Sequence, residues 1–265
     1  MSIITLTTDL GNKDFYAASV KAAILSQAPG ATIVDISHHV KPFDIADAAF
    51  QVASVFRDFP IGSVHVLGIN SLLRADQPHV VVHHMGHYFV SADNGIFGLL
   101  MDEDPEDIYE INLPHGDHWN FPMKGVFAIA AAHLSKGGKP EFLGKRVTSL
   151  NRSIPNLPMI EENAIKGQVV FLDHYGNVYT NITRSFFETM ARGRNFSITF
   201  KRQFNAIHRI SRGFEEVIQG ELLAMWAENE HLLIAVNGGV IGHGGSASQL
   251  FALKPKDIVR VDFKS

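Results

Sequence analysis

Over its first ~135 residues this chain alternates apolar periods of two and of about 3.6 residues, and beyond Ile165 only the shorter period persists. No other feature restricts the fold as much. Ile3–Thr7 reads as a buried strand. Phe15 to about Gln27 reads as a helix, with Val20, Ala23, Ile24 and Ala28 on one face and Pro29-Gly30 as its stop. Thr32–Ile36 is a second strand. Asp44 or Asp47 then sits near the positive end of a helix running from Ile45 to about Arg57. Ser63–Ile69 is a third strand, His79–Val82 and His87–Val90 a hairpin, and Val126–Leu134 a further helix. This order predicts an α/β N-terminal domain with a mostly parallel sheet and helices on both faces.

After Lys136-Gly-Gly-Lys-Pro140 and the Asn- and Pro-rich stretch 151–158, the pattern changes to short strands: Gly167–Leu172, Val178–Asn181, Phe196–Phe200, Leu222–Ala227, Leu232–Val236 and Ile258–Phe263. They predict a smaller all-β C-terminal barrel. The expected division is 1–150, a linker over 151–165, and 166–265, which a chain of 265 residues can support as two cores.

The formal charge of −4 supplies no field that would draw the chain to nucleic acid or an acidic membrane. Without cysteine there are no disulfides or thiolate metal sites. No apolar run nears the roughly 20 residues that span a bilayer, and no basic leader precedes the first strand. A soluble cytoplasmic protein is the expectation. Among the 14 histidines, His79, His83, His84 and His87 cluster, but on a strand–turn–strand without a carboxylate. They read as surface hairpin histidines, so no metal is expected.

The first strand runs directly into Thr7-Thr8-Asp9-Leu10-Gly11, followed by Asp14 and Tyr16. In α/β proteins ligands collect at the carboxyl ends of strands, and a carboxylate there can accept two hydrogen bonds from a ribose diol. The alternative makes Asp9 a turn former and Asp14 a helix-start charge. Farther on, Asp173-His-Tyr175-Gly-Asn177-Val-Tyr179-Thr-Asn181 gathers aromatics, amides and a carboxylate in one hairpin. Aromatic faces with amides at the edge suit a purine, although a Gly-Asn turn needs similar residues.

These segments resemble the S-adenosylmethionine-cleaving enzymes that comprise the fluorinases, the chlorinases and the SAM hydroxide adenosyltransferases. The shared run also includes Ile33-Val-Asp-Ile-Ser-His38, Pro42-Phe-Asp-Ile45, Phe59-Pro-Ile-Gly-Ser-Val64 and Asp93-Asn-Gly95, in order over about 180 residues. The resemblance implies a homotrimer with sites between neighbouring subunits, an adenosyl small-molecule ligand, and no cofactor besides that ligand. It implies that Asp9 grips the ribose hydroxyls, that Asp14 faces the methionine amine, and that Phe43 flanks the substrate. It also implies that Asp173, Tyr175, Asn177 and Tyr179 wall the adenine and methionine ends, with Phe214 as a further aromatic wall.

The pattern departs at the reacting centre. Where the family typically has Asp-Pro-Gly-Val-Gly followed by arginine, this chain has Asn70-Ser-Leu-Leu-Arg-Ala-Asp-Gln77, with Asn70 at the Asp position and Gln77 at the Arg position. Where it has Phe-His-Gly-Arg-Asp, this chain has Phe121-Pro-Met-Lys-Gly125. Arg74, Asp76 and His118 lie near the replaced positions, and Leu73 and Met123 occupy those where a halide would be met. Ala227-Glu-Asn-Glu230 replaces an Asn-Ser-x-Gly motif, and Gly238–Gly245 reads as a surface loop. Two functions follow: cleavage of SAM by water at the ribose 5′ carbon from a rearranged site with Asn70 and Gln77, or binding of an adenosyl ligand without turnover.

Overall fold

The structure, a computed structural model, describes residues 2–113, 120–201, 206–243 and 245–264. It divides into one unit of Met1–Pro155 and another of Asn156–Ser265. In the first, β1 (Ile3–Thr8), β2 (Thr32–Ser37), β3 (Val64–Gly68), β4 (His79–His84), β5 (His87–Ala92), β6 (Asp107–Ile111) and β7 (Gly144–Val147) form one sheet. Its order is β2-β1-β3-β5-β4-β6-β7.

The first three pairings are parallel and the last three antiparallel, so the sheet is mixed rather than mostly parallel. The cause is the β4–β5 connection. Met85 at φ 50° and Gly86 at φ 76° give the left-handed pair a two-residue hairpin turn needs, so the chain returns without a crossover helix. The sheet is covered on both faces. α1 (Tyr16–Gln27) and α4 (Ala128–Ser135) bury Val20, Ile24, Ala128 and Leu134 against Ile4, Leu6 and Val66. On the other face α2 (Ile45–Ala53) and α3 (Phe97–Leu100) cover Leu67, Val82 and Phe89. Asp44 caps α2, accepting the amides of Ala46 and Asp47, each at 3.2 Å.

The hairpin histidines are not surface groups. His79, His84 and His87 are buried because β4 and β5 are interior strands with both faces covered, and His65 of β3 joins them. His65 Nδ1 meets Thr5 Oγ1 at 2.8 Å, and its Nε2 meets His87 Nδ1 at 3.2 Å. Phe56, Phe59 and Phe89 surround the pair. Burial, with His87 alongside, holds the His65 imidazole down at about 3. His84 and His87 are also pushed down, chiefly by burial. Among the described residues no group of three His, Asp or Glu is placed to hold a metal ion, and no helix is long and apolar enough to cross a membrane.

In the second unit β8 (Met159–Glu161), β9 (Ala164–Leu172), β10 (Val178–Thr183), β11 (Phe196–Phe200), β12 (Leu222–Trp226), β13 (His231–Val236) and β14 (Ile258–Phe263) pair antiparallel. The order is β11-β14-β9-β10-β13-β12, with β8 against β9. Residues 159–161, read as linker, are thus strand. The sheet curls: Ile207 bridges Ile198 of β11, and Ser211 bridges Met225 of β12, so one short segment touches both edge strands. The unit is not wholly β. α5 (Arg184–Ala191) follows β10, capped by Thr183 Oγ1, and buries Phe187 and Ala191, and a single turn, α6 (Ala247–Leu250), is capped by Ser246.

Candidate functional site

β1, β2, β3 and β5 run in one direction, so their carboxyl ends deliver four turns to one edge of the sheet. These turns carry Asp9, His38 to Asp44, Asn70 to Gln77, and Asp93 to Gly95. The first two are stitched together. Gly11 N donates to His38 O at 2.7 Å, Val40 N to Thr8 O at 3.3 Å, and Phe43 N to Asp9 Oδ2 at 2.9 Å. Phe43 holds φ 64°, a left-handed conformation that costs a phenylalanine about 1–2 kcal/mol, and its ring is 74% exposed. The Asp9 carboxylate offsets part of that cost, and only one of its oxygens is spent on the bond. Asp14 is exposed, and its Oδ1 accepts Tyr16 N–H at 3.4 Å at the start of α1, as a helix-start charge would.

Gln77 is buried, and its amide nitrogen donates to Asn70 O at 2.7 Å and Leu72 O at 3.0 Å. His79 Nε2 meets Ser71 O at 2.9 Å, and Asn94 Nδ2 donates to Ile69 O at 2.9 Å. The turn is thus pinned from within, with Asn70 at φ 47°. Asn151 ties the next turn down, donating to Asp76 O and Asp93 O while its own amide N–H meets the Asp93 carboxylate. Burial pushes the Asp93 carboxyl up despite that bond. Replacing Gln77 by alanine is expected to cost about 1–3 kcal/mol, because two carbonyls lose their donor. An unchanged urea midpoint would show that water replaces the amide.

Arg74 and Asp76 are exposed in the same turn, and His118 lies outside the described residues. Pro122 directly precedes a π-helical turn, Met123–Phe127, that leads into α4. Met123 is buried against the end of β3, where a Cβ placed on Gly68 would lie 2.3 Å from its sulfur.

In the second unit Asp173 is used locally. Its Oδ1 accepts Asn177 N–H at 2.8 Å and its Oδ2 accepts Asn177 Nδ2–H at 2.9 Å, closing a turn through Gly176 at φ 82°. A side chain at Gly176 would strike Ser246 and Ser248. Of the two tyrosines, Tyr175 is offered outward and Tyr179 is partly buried. Tyr175 is 58% exposed, and Tyr179 stands edge-on to Phe171 with ring centres 5.8 Å apart. Burial, then Asp173 and Glu228, pushes the Tyr179 phenol up. Phe214 sits on a separate 3-10 turn, Phe214–Glu216. Gly238 to His243 form an exposed turn in which Gly242 N donates to Gln249 Oε1 at 3.1 Å. Sequence reasoning missed Asn151 and the inward role of Gln77. Asn151 has no local signal, since it bonds backbone 58 and 75 residues away, whereas Gln77 closes its own turn on carbonyls five and seven residues back.

Two family models match the chain: the SAM hydroxide adenosyltransferase N-terminal domain over residues 4–144 and the corresponding C-terminal domain over residues 167–260. The chain is 30% identical to the (R)-S-adenosyl-L-methionine hydrolase of Thermus thermophilus, covering 98% of this chain and 100% of that one. It is 26% identical to the hydrolase of the same name from Methanocaldococcus jannaschii, over 89% and 84%. A fluorinase of Nocardia brasiliensis is 26% identical over 72% and 74%. Among solved structures, an uncharacterized conserved protein from Thermotoga maritima superposes with a TM-score of 0.88 at 29% identity, covering 98% and 99%.

Proposed function

The chain belongs to the SAM hydroxide adenosyltransferase family, and from that premise we propose that it cleaves S-adenosylmethionine with water. The water oxygen bonds to the ribose 5′ carbon as the carbon–sulfur bond breaks. The bonding pair goes to sulfur, leaving neutral methionine and adenosine, and the water proton passes to solvent. A sulfonium is already an activated leaving group, so positioning and desolvation of the water supply much of the rate, and the reaction calls for no cofactor.

The observation that carries the reading is the Asp9 carboxylate, held at the end of β1 by Phe43 N–H at 2.9 Å with one oxygen unspent. That oxygen suits a ribose hydroxyl. Asp14 takes the ammonium of the methionine end, and Phe43, Tyr175, Tyr179 and Phe214 supply aromatic walls. Asn70 orients the water without acting as a base, and Gln77 holds the turn that carries it. With Asn70 rather than a carboxylate holding the water, the site is expected to turn over about 10²–10⁴-fold more slowly than one with a general base there. A homotrimer with the site between neighbouring subunits, and a barrel in the second unit, complete the proposal. The exposed Phe15, Tyr16 and Phe43 support the first, and the segment touching both edge strands supports the second.

Binding without turnover is the second reading. It is favoured by Gln77, which stands at the family's arginine position yet spends its amide on two carbonyls. Incubation of purified protein with SAM, followed by chromatography, is expected to yield adenosine and methionine in equal amounts. Saturable SAM binding with no adenosine would overturn cleavage in favour of the second reading.

A further inference from the structure

Beneath Asp9 lies a line of polar groups that the reaction does not use. Thr8 and His38 are fully buried or nearly so, at 0% and 2% exposure. Thr8 Oγ1 meets His38 Nδ1 at 2.7 Å and also accepts Leu10 N–H at 3.3 Å. His38 Nε2 lies 3.1 Å from Asp35 Oδ1, an approach off the hydrogen-bond axis. Asp35 Oδ2 in turn takes the Lys21 ammonium of α1 at 2.5 Å. The polarity of the line is self-consistent. A carboxylate only accepts, so Nε2, which faces Asp35, is the protonated nitrogen, and Nδ1 accepts the Thr8 hydroxyl.

We propose that Thr8, His38, Asp35 and Lys21 form a positioning line that sets the orientation of the Asp9 carboxylate and thereby the selectivity for a ribose bearing its 2′-hydroxyl. The proposal rests on the reading of Asp9 as the ribose ligand. Thr8 and Leu10 bracket Asp9, and the Thr8 hydroxyl bridges them, fixing the peptide planes on either side of the aspartate. The Thr8 carbonyl accepts Val40 N–H, and the His38 carbonyl accepts Gly11 N–H. The loop that His38 anchors is the same one that sends Phe43 N–H to Asp9. One oxygen of Asp9 is therefore pinned from Phe43 while its backbone is pinned from Thr8. The other oxygen is left in a single direction, as recognition of one hydroxyl requires. The outer pair, Asp35 and Lys21, is about one third exposed, and its carboxylate faces the imidazole from the far side by charge rather than by a hydrogen bond.

The test is calorimetric titration of adenosine and 2′-deoxyadenosine into the wild type, Asp9→Ala, Thr8→Val, Thr8→Ser and Asp35→Asn. The wild type is expected to prefer adenosine by about 10–100-fold, the worth of one hydrogen bond to a charged group. Asp9→Ala abolishes the preference. Thr8→Val, close in shape but without the hydroxyl, is expected to cut it at least ~5-fold by weakening adenosine alone. Thr8→Ser keeps it, and Asp35→Asn cuts it about 3-fold. A Thr8→Val protein that binds both nucleosides more weakly in equal measure, or with an unchanged ratio, overturns the proposal. Should Thr8→Val fail to give a cooperative melt, Asp35→Asn, at a position about one third exposed, decides, and an unchanged ratio there overturns it. If Asp9→Ala keeps the wild-type preference, the ribose reading of Asp9 falls and the positioning line falls with it. Loss in Asp9→Ala but not in Thr8→Val or Asp35→Asn removes the line alone.

Discussion

Replacing Asp9 by alanine is expected to lower kcat/KM for SAM by about 10²–10³-fold, the largest loss for any single residue of the site. Hydrogen bonds from ligand hydroxyls to a charged carboxylate are worth about 1.5–3 kcal/mol each, so one or two of them span most of that range. The rest comes from the protein itself. With the acceptor gone, Phe43 N–H loses its 2.9 Å partner, and the turn bond from Asp44 N–H to Lys41 O at 3.0 Å is left to hold a phenylalanine at φ 64°. In the proposed site the ribose ligand is then lost and the aromatic wall loosened together. Asp9→Asn keeps an acceptor oxygen for Phe43 but removes the charge, and is expected to cost only about tenfold. Initial rates of adenosine release, with adenosine affinity measured in parallel, separate the two contributions. Activity within threefold of wild type in Asp9→Ala would remove Asp9 from the site.

The second large effect is on stability in acid. His65 is fully buried and takes its proton only near pH 3, whereas in the unfolded chain a histidine does so near 6.5. A lowered folded pKa means that the unfolded chain binds more protons below 6.5. Stability is therefore fully present above that pH and is lost as pH falls towards 3. A shift of this size corresponds to roughly 4 kcal/mol for His65 alone across the window. His84 and His87 are shifted the same way and add to it. Asp93, pushed up by burial, works in the opposite sense, so the comparison with a variant carries the test. His65→Phe fits the surrounding phenylalanines but gives up the bonds to Thr5 and His87, and should cost about 1–3 kcal/mol at pH 7.5. It should then lose distinctly less than the wild type between pH 6.5 and 4. Parallel urea-denaturation curves for the two proteins across that range would refute the account.

What could be read from residues alone was whatever follows from local periodicity. The strand–helix alternation placed β1, α1, β2 and β3 within a residue or two, and the start of α2 was legible as Asp44 or Asp47 because capping is a local bond, with Asp44 the cap and Asp47 in the first turn. β6 and β7 were not legible. Tyr109 is buried, but Gly144-Lys-Arg-Val147 forms a charged sheet edge, which protects against further pairing and hides the strand. The histidines misled because polarity suggested a surface, whereas inside the sheet His87 pairs with His65 and Thr5, and His79 with Ser71 O. α5 did carry a signal: Thr183, three residues before Phe186, is its cap, overlooked among short strands. At the site, Asp9 and Phe43 were legible as positions in a motif. That one bonds the other was not, because 34 residues separate them.

Met123 gives the departure from the family pattern a packing consequence. Its thioether fills the space beside Gly68, and the π-helical turn that starts there directly follows Pro122. Restoring a histidine and glycine at these two positions would empty that space and free the turn before any imidazole could reach a water. Met→Ala truncations in cores already cost about 2–5 kcal/mol. Packing therefore couples the two positions to Gly68: a side chain exchanged at Met123 is felt first as a cavity at the end of β3 and only then as chemistry.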